Sequence, residues 1–247
     1  TRDDDTNFIS SALAKSLGAR DIIVRLRNPK YLTHLDHIKE VAGANLVINP
    51  EYLAAKEIQR SIKYSHARNV QTFLEDRAMM IEITIGTHSR LNGLMLAEAD
   101  SYLSHFDVLI GIVSDNGDVT IPNGSFVLKE NQKVYVMGTK EDVDLFYRAE
   151  VPENIRMRDI LIIGASTIAH QLTGLLLDRN FNVTIIELDR QKAIAMQEEF
   201  GNAVVINADG SDPDILEEAR IDTFDAVISL TGIDEENILI ALIAQRY

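Results

Sequence analysis

Not one of the 247 residues is cysteine, so neither a disulfide framework nor a thiolate zinc site can form, a usage that fits a reducing cytoplasm. No apolar run approaches the roughly 20 residues that a membrane-spanning helix needs, and nothing at the N-terminus resembles a signal peptide. Any membrane role is therefore expected to be peripheral. Positive charge is in short supply: 24 Lys and Arg face 38 Asp and Glu, for a net charge of −14. That balance argues against nucleic acid as a partner and favours a basic protein face. The initial residue is Thr1, in what reads as the middle of a domain, so the sequence is expected to be a piece of a longer protein.

Hydrophobic residues make up 46% of the chain, enough to bury a real core in one or two globular domains. The stretch from Arg158 to Asp189 organises the rest. An apolar run, Ile160 to Ile163, meets a small-residue turn at Gly164; helical periodicity follows through Leu172, Leu175 and Leu176. A second apolar run, Val183 to Ile186, ends on Glu187. Strand, turn, helix, strand and acid is the order in which a dinucleotide-binding unit holds a pyrophosphate at a helix N-terminus and a ribose on a carboxylate. In the pattern G-x-G-x-x-G/A, Gly164 takes the first position, Ser166 the second and Ala169 the third. Ser166 crowds the close backbone approach of a phosphate, while its hydroxyl can donate a hydrogen bond. Two readings stay open: a phosphate loop built from Gly164, Ala165, Ser166, Thr167 and Ile168, or a scaffold that keeps the fold without the ligand.

Glu187 stands where a ribose acceptor sits, and a carboxylate there favours NAD or an adenine nucleotide over NADP; the alternative is a solvated acid at a strand end. Asp209 either meets a ligand or caps the next helix. Thr231 lies at the carboxyl end of a strand, where open α/β sheets bind ligands, or else starts its helix. Arg25 either reaches a phosphate or pairs with a surface acid. His34 and His37 are one helical turn apart, but a metal pair without a third ligand reads better as a polar helix face. No nucleophile, base and orienting acid can be assembled, and there is no Walker Gly-Lys-Ser/Thr pattern.

Along the chain, periodicity predicts a helix over Thr6–Leu17, a strand over Ile22–Leu26, a turn at Asn28-Pro29 and a helix from Tyr31 to Val41. A strand at Leu46–Ile48 and a helix from Glu51 to Ile62 follow, a parallel α/β arrangement. The middle differs. It reads as strands at Met79–Ile85, Val108–Val113, Val119–Ile121 and Lys133–Val136, with an Asn116-Gly117 hairpin signal and helices over Asn92–Leu103 and Thr139–Tyr147. From Arg158 the βαβ pattern returns, with strands at Ala203–Ile206 and Ala226–Leu230 and helices to Phe200, over Pro213–Ala219 and over Ile238–Tyr247. Setting Thr231 on Thr1 aligns TGIDEENILIALIAQ with TRDDDTNFISSALAK, matching Asp234 with Asp4 and Asn237 with Asn7. The sequence thus reads as one period of a tandem repeat.

IIVRLRNPKY from Ile22, ANLVINPE from Ala44, FDVLIGIV and IPNGSFVLKENQKVYVMGT in the middle, and NADGSD from Asn207 together resemble the regulatory subunits of Trk-type potassium transport and the RCK (KTN) domains. The resemblance covers nearly the whole chain. It implies an α/β fold in which Rossmann-like parallel sheet halves flank a small α+β C-terminal-type domain. The division would be 1–66, the end of a first Rossmann-like domain; 67–151, the small domain; and 157–247, the start of a second. It implies a cytoplasmic, nucleotide-sensing regulatory subunit, peripheral on the inner face of the membrane. Its ligand would be NAD or NADH, or ATP or ADP, and its partner a membrane potassium channel or transporter subunit. A homo-oligomer, dimers building a ring, is expected, and Asp209 and Gly210 match the family's turn near the adenosine. The rivals are an NAD-dependent oxidoreductase and a ligand-free structural ring subunit. The two sheet halves are expected to complete one another, within one chain or between two copies.

Overall fold

The computed structural model describes residues 3–28, 31, 35–74, 77–152 and 155–247, with 35 and 36 as backbone only. The expected turn at Pro29, the residues Thr1 and His34, and part of the helix expected from Tyr31 lie outside the described residues. Two compact units emerge: residues up to Arg60 together with Met157–Tyr247, and Ser61–Arg156.

The first unit opens with α1 (Asp4–Ser16), capped by Asp3, whose carboxylate accepts the Thr6 N–H at 2.8 Å. Then come β1 (Ile23–Arg25), α2 (Leu35–Ala42), β2 (Leu46–Ile48) and α3 (Pro50–Lys63), which starts on a proline whose missing N–H costs nothing in the first turn. β1 and β2 pair in parallel with Ile23 opposite Leu46, over a core of Ile22, Val24, Leu26, Ile38, Ala42 and Ala44.

The second unit is antiparallel throughout. It contains β3 (Ala67–Phe73), β4 (Ala78–Thr84), α4 (Leu96–Leu103), β5 (Leu109–Asp115), β6 (Asp118–Thr120), β7 (Lys133–Thr139) and α5 (Lys140–Glu150), with sheet order β3-β4-β7-β5-β6. Asn116 and Gly117 both take positive φ, +48° and +97°, which matches the twist of a two-residue hairpin. Thr139 caps α5 by accepting the Asp142 N–H at 3.3 Å. The core packs Phe146, Leu91, Leu128 and Met79, with Ile81 and Val136 from the sheet. One expectation is corrected here. α4 begins at Leu96 rather than Asn92, because Gly93 sits at φ +83° and breaks the turn before it. β3, which the hydrophobic pattern does not signal, is a strand.

The remainder of the first unit comprises β8 (Asp159–Ile163), α6 (Thr167–Leu177), β9 (Asn182–Glu187), α7 (Arg190–Glu199), β10 (Val204–Asn207), α8 (Pro213–Glu218), a short 3-10 turn (Ile221–Thr223), β11 (Ala226–Ser229) and α9 (Asp234–Ala244). All four strands are parallel, in the order β10-β9-β8-β11. Ile160, Leu161 and Ile162 are fully buried, the signature of a parallel strand covered on both faces. α9 starts earlier than Ile238 because Asp234, Glu235 and Glu236 suit the positive end of a helix dipole. Among the described residues the β1–β2 pair forms its own sheet and shares no ladder with the four-stranded one, so these strands do not complete a single sheet within the chain. The fold is α/β with Rossmann-like parallel sheets and a separate antiparallel α+β unit.

Candidate functional site

The strand order reverses between β8 and β11: the chain moves from β8 outward through β9 and β10, then returns to the other side of β8. Open α/β sheets bind ligands in the crevice at that switch point, beyond the carboxyl ends of the strands. Gly164 sits there at φ +97°, its N–H donating to the Ile186 carbonyl at 2.8 Å. A Cβ on Gly164 would lie 2.7 Å from the Leu230 carbonyl oxygen and 2.9 Å from the Thr231 Cα. Both the dihedral and the close approach of β11's end therefore require glycine.

Ala165 donates its N–H to the Glu187 carboxylate. Ser166, at the second motif position, is the N-cap of α6: its hydroxyl accepts the Ala169 N–H at 3.3 Å. Thr167 and Ile168 occupy the first turn, where backbone N–H groups have no partner within the helix, and no acidic residue lies in that turn. The residue that departs from glycine at the second motif position is thus the cap of the helix start.

Glu187 is 7% exposed, at the end of β9, and its second oxygen accepts the Asp189 N–H at 2.7 Å. It is a buried anchor of the loop, not a solvated acid. Asn207 holds the same corner by donating to the carbonyls of Glu187 at 2.8 Å and Leu188 at 2.9 Å. Gly210 closes over the strand ends: a Cβ there would lie 2.4 Å from Ile163 Cγ2. Asp209 is not a helix cap, because Asp212 caps α8, accepting the Asp214 N–H at 3.0 Å. Instead Asp209 accepts the Ser211 hydroxyl at 2.7 Å and N–H at 2.9 Å, bonds that hold its carboxyl below the ordinary carboxylate value. Thr231 neither caps α9 nor points alone: its N–H donates to Asn237 Oδ1 at 2.8 Å, and its hydroxyl accepts the Ile233 N–H at 3.3 Å. Asn237 is a positioning residue that motif reading does not single out.

Gly164 to Ile168, Glu187, Gly210 and Thr231 therefore gather at the carboxyl ends of β8, β9 and β11. Arg25 pairs with Glu51 at 3.0 Å, as does Arg27 at 2.7 Å. That acid is buried rather than on the surface, with a side chain 9% exposed. Among the described residues no three His, Cys, Asp or Glu side chains gather as a metal site, and no helix is long and apolar enough to cross a membrane.

Residues 160–247 match the TrkA-N domain and residues 80–150 the TrkA-C domain. The chain is 31% identical over 246 residues to a Trk system potassium uptake protein TrkA homolog of Archaeoglobus fulgidus, covering 100% of this chain and 55% of the relative. To the Trk system potassium uptake protein TrkA of Vibrio alginolyticus it is 27% identical over 253 residues, covering 100% and 54%. The chain spans about half the length of the curated relatives it matches. Among solved structures, the GsuK RCK domain superposes with a TM-score of 0.60 at 22% identity, over 98% of this chain and 50% of that one. The GsuK channel bound to NAD gives 0.61 at 22% identity, over 98% and 42%. Residues 80–150 thus belong to the TrkA-C domain family and residues 160–247 to the TrkA-N domain family, in a chain that aligns along its whole length with Trk system potassium uptake proteins.

Proposed function

We propose that this chain is part of a cytoplasmic regulatory subunit that senses a nucleotide and gates a membrane potassium uptake channel or transporter from the inner face of the membrane. The observation that carries the reading is the switch point itself, where the Gly164 turn, the Thr167 and Ile168 N–H groups in the first turn of α6 and the Glu187 carboxylate converge. The pyrophosphate of NAD or NADH would sit against the N–H groups of Ser166 to Ile168, as anions do at helix N-termini, while Glu187 holds the Ala165 N–H. Glu187 spends one lone pair of each oxygen on Ala165 and Asp189, and a carboxylate has about four, so capacity remains for ribose hydroxyls. Asp209 and Gly210 would border the adenosine, and Thr231 would form the wall on the β11 side. ATP or ADP would use the same phosphate contacts.

The curated relatives are named for potassium uptake, and a channel of this fold is described bound to NAD; both support the sensing reading. In it, 1–66 and 157–247 are pieces of two Rossmann-like domains, with 67–151 the small domain between them, and copies assemble as dimers into a ring. A nucleotide gates only through different affinities for two conformations, about 1.4 kcal/mol for each tenfold difference. Calorimetric titration of the purified chain with NAD, NADH, ADP and ATP tests the site. Saturable binding weakened by Glu187→Ala supports it, and no binding of any of the four overturns it.

A further inference from the structure

A second cavity, of about 580 Å³, lies wholly in the antiparallel unit, between the start of β3, the loop that follows β4 and the end of α5. Its lining reverses the charge of the protein as a whole. Arg68, Arg90, His66 and His88 face it, against the single carboxylate of Glu150.

Neither the acid opposite Arg68 nor the acid that lines the cavity pairs with these two guanidinium groups. Arg68 stands directly across the ladder from Glu82, its natural cross-strand mate. Yet Glu82 accepts the Tyr135 hydroxyl at 2.8 Å and the Asn69 side-chain amide, with Lys133 Nζ 3.4 Å away. The ladder shifts between Arg68 and Gln71, and Asn69 takes φ +45°, which turns its amide onto Glu82 in place of Arg68. Glu150 is held by hydroxyls: one oxygen accepts that of Ser89 and the other that of Tyr102 at 2.7 Å. Burial, with the Glu150 hydrogen bond beside it, pushes the Tyr102 phenol well above its ordinary value, so it remains a donor. Arg90 lies over the Tyr102 ring, 5.5 Å from its centroid, a stacking that holds a guanidinium without consuming its N–H donors. His66 Nε2 is 2.7 Å from the Ile155 carbonyl oxygen, so that nitrogen carries a proton and fixes the ring against the cavity wall. Neither Arg68 nor Arg90 has a carboxylate partner among the described residues.

We propose that this cavity is an anion site that takes a phosphomonoester, its phosphate held between the guanidinium groups of Arg68 and Arg90. Planar, five-donor guanidinium groups match tetrahedral phosphate oxygens with paired hydrogen bonds. The volume exceeds what a bare phosphate fills and leaves room for a small organic remainder. This site is separate from the nucleotide crevice at Gly164 and does not depend on it.

The test uses the whole chain with inorganic phosphate and glycerol phosphate as probes and acetate as the control anion, followed by calorimetry and by the His66 and His88 ring resonances. Saturable binding of both phosphates, the ester more tightly, with shifts at both histidines, is expected. Arg68→Gln and Arg90→Gln each weaken it about tenfold or more. Arg90→Lys keeps the charge and loses the fork, and falls between. Phosphate held by the Gly164 turn instead would survive the Arg68→Gln/Arg90→Gln double variant and leave both histidines unmoved, and that result overturns the proposal. So does the absence of binding by the unmodified chain, and so does equal binding of acetate.

Discussion

The Glu187 carboxylate, at the end of β9, accepts the backbone N–H of Ala165, in the turn that leaves β8. The same group accepts the Asp189 N–H at 2.7 Å, so one buried acid ties the glycine turn to the start of the next loop. The acid of a dinucleotide-binding pattern is thus structural before any ligand arrives. Glu187→Ala would leave two N–H groups short of an acceptor at a position 7% exposed, and a buried unsatisfied donor costs about 1–3 kcal/mol. Urea unfolding is expected to register a loss of that size alongside weakened nucleotide binding. Unchanged stability would show that the carboxylate is not the anchor.

Gly164→Ala meets two obstacles at once. Its φ of +97° is outside the range of L side chains, and the added Cβ would lie 2.7 Å from the Leu230 carbonyl oxygen. The neighbour is backbone, which cannot swing away, so the turn must part from the end of β11. A non-glycine residue in such a conformation costs about 1–3 kcal/mol, and the urea midpoint is expected to fall accordingly with an unchanged slope. Gly210→Ala is the comparison: its φ is ordinary and its nearest neighbour is the Ile163 Cγ2 methyl, so it strains packing rather than backbone. Gly164→Ala should therefore abolish nucleotide binding, and Gly210→Ala only weaken it.

β8 and β9 were legible because runs such as Ile160 to Ile163 are apolar on both faces, which only a covered parallel strand tolerates. β3 was not, since ARNVQTF alternates poorly and carries a bulge at Asn69; an edge strand needs only one neighbour and leaves little hydrophobic trace. Gly164 could be identified by motif because turn geometry is local. Ser166 could not be understood that way: a glycine template registers a departure, while the structure shows a helix cap. The tie between Thr231 and Asn237, and the burial of Glu51 between Arg25 and Arg27, are side-chain relations across loops and carry no periodic signal.

Acid should weaken the antiparallel unit through Glu82. Burial raises this carboxyl, but hydrogen bonds from Tyr135 and Asn69, with Lys133 beside it, outweigh burial and leave it below the ordinary carboxylate value. A carboxyl depressed in the folded state contributes stability that is present above its unfolded value and lost as pH falls through the folded one. Glu82→Gln is therefore expected to be less stable than the parent at neutral pH, with the gap narrowing as pH drops below about 4.5. Denaturant unfolding of the two proteins across that range measures it, and a gap independent of pH would show that the charge contributes nothing.

Self-association should depend on two helices that the repeat aligns. α9 exposes Ile238 at 63%, Leu239 at 52% and Leu242 at 57%, beside a cavity of about 520 Å³ along β11 lined by Phe224 and Val227. α1 exposes Ile9 at 58% and Leu13 at 57%, and Ile9 is the residue that Leu239 aligns with. Contiguous apolar surface of this kind marks an interface, and β11 offers an unpaired strand edge next to it. Because among the described residues the β1–β2 pair shares no ladder with the four-stranded sheet, an assembly of copies is where the two halves can meet. Sedimentation velocity is expected to show concentration-dependent association. Burying one such side chain contributes about 1.5–3 kcal/mol, so Leu242→Glu or Ile9→Glu should weaken association at least about tenfold. A chain that stays monomeric at every concentration would remove the ring from the proposed mechanism and leave gating to a single copy on its membrane partner.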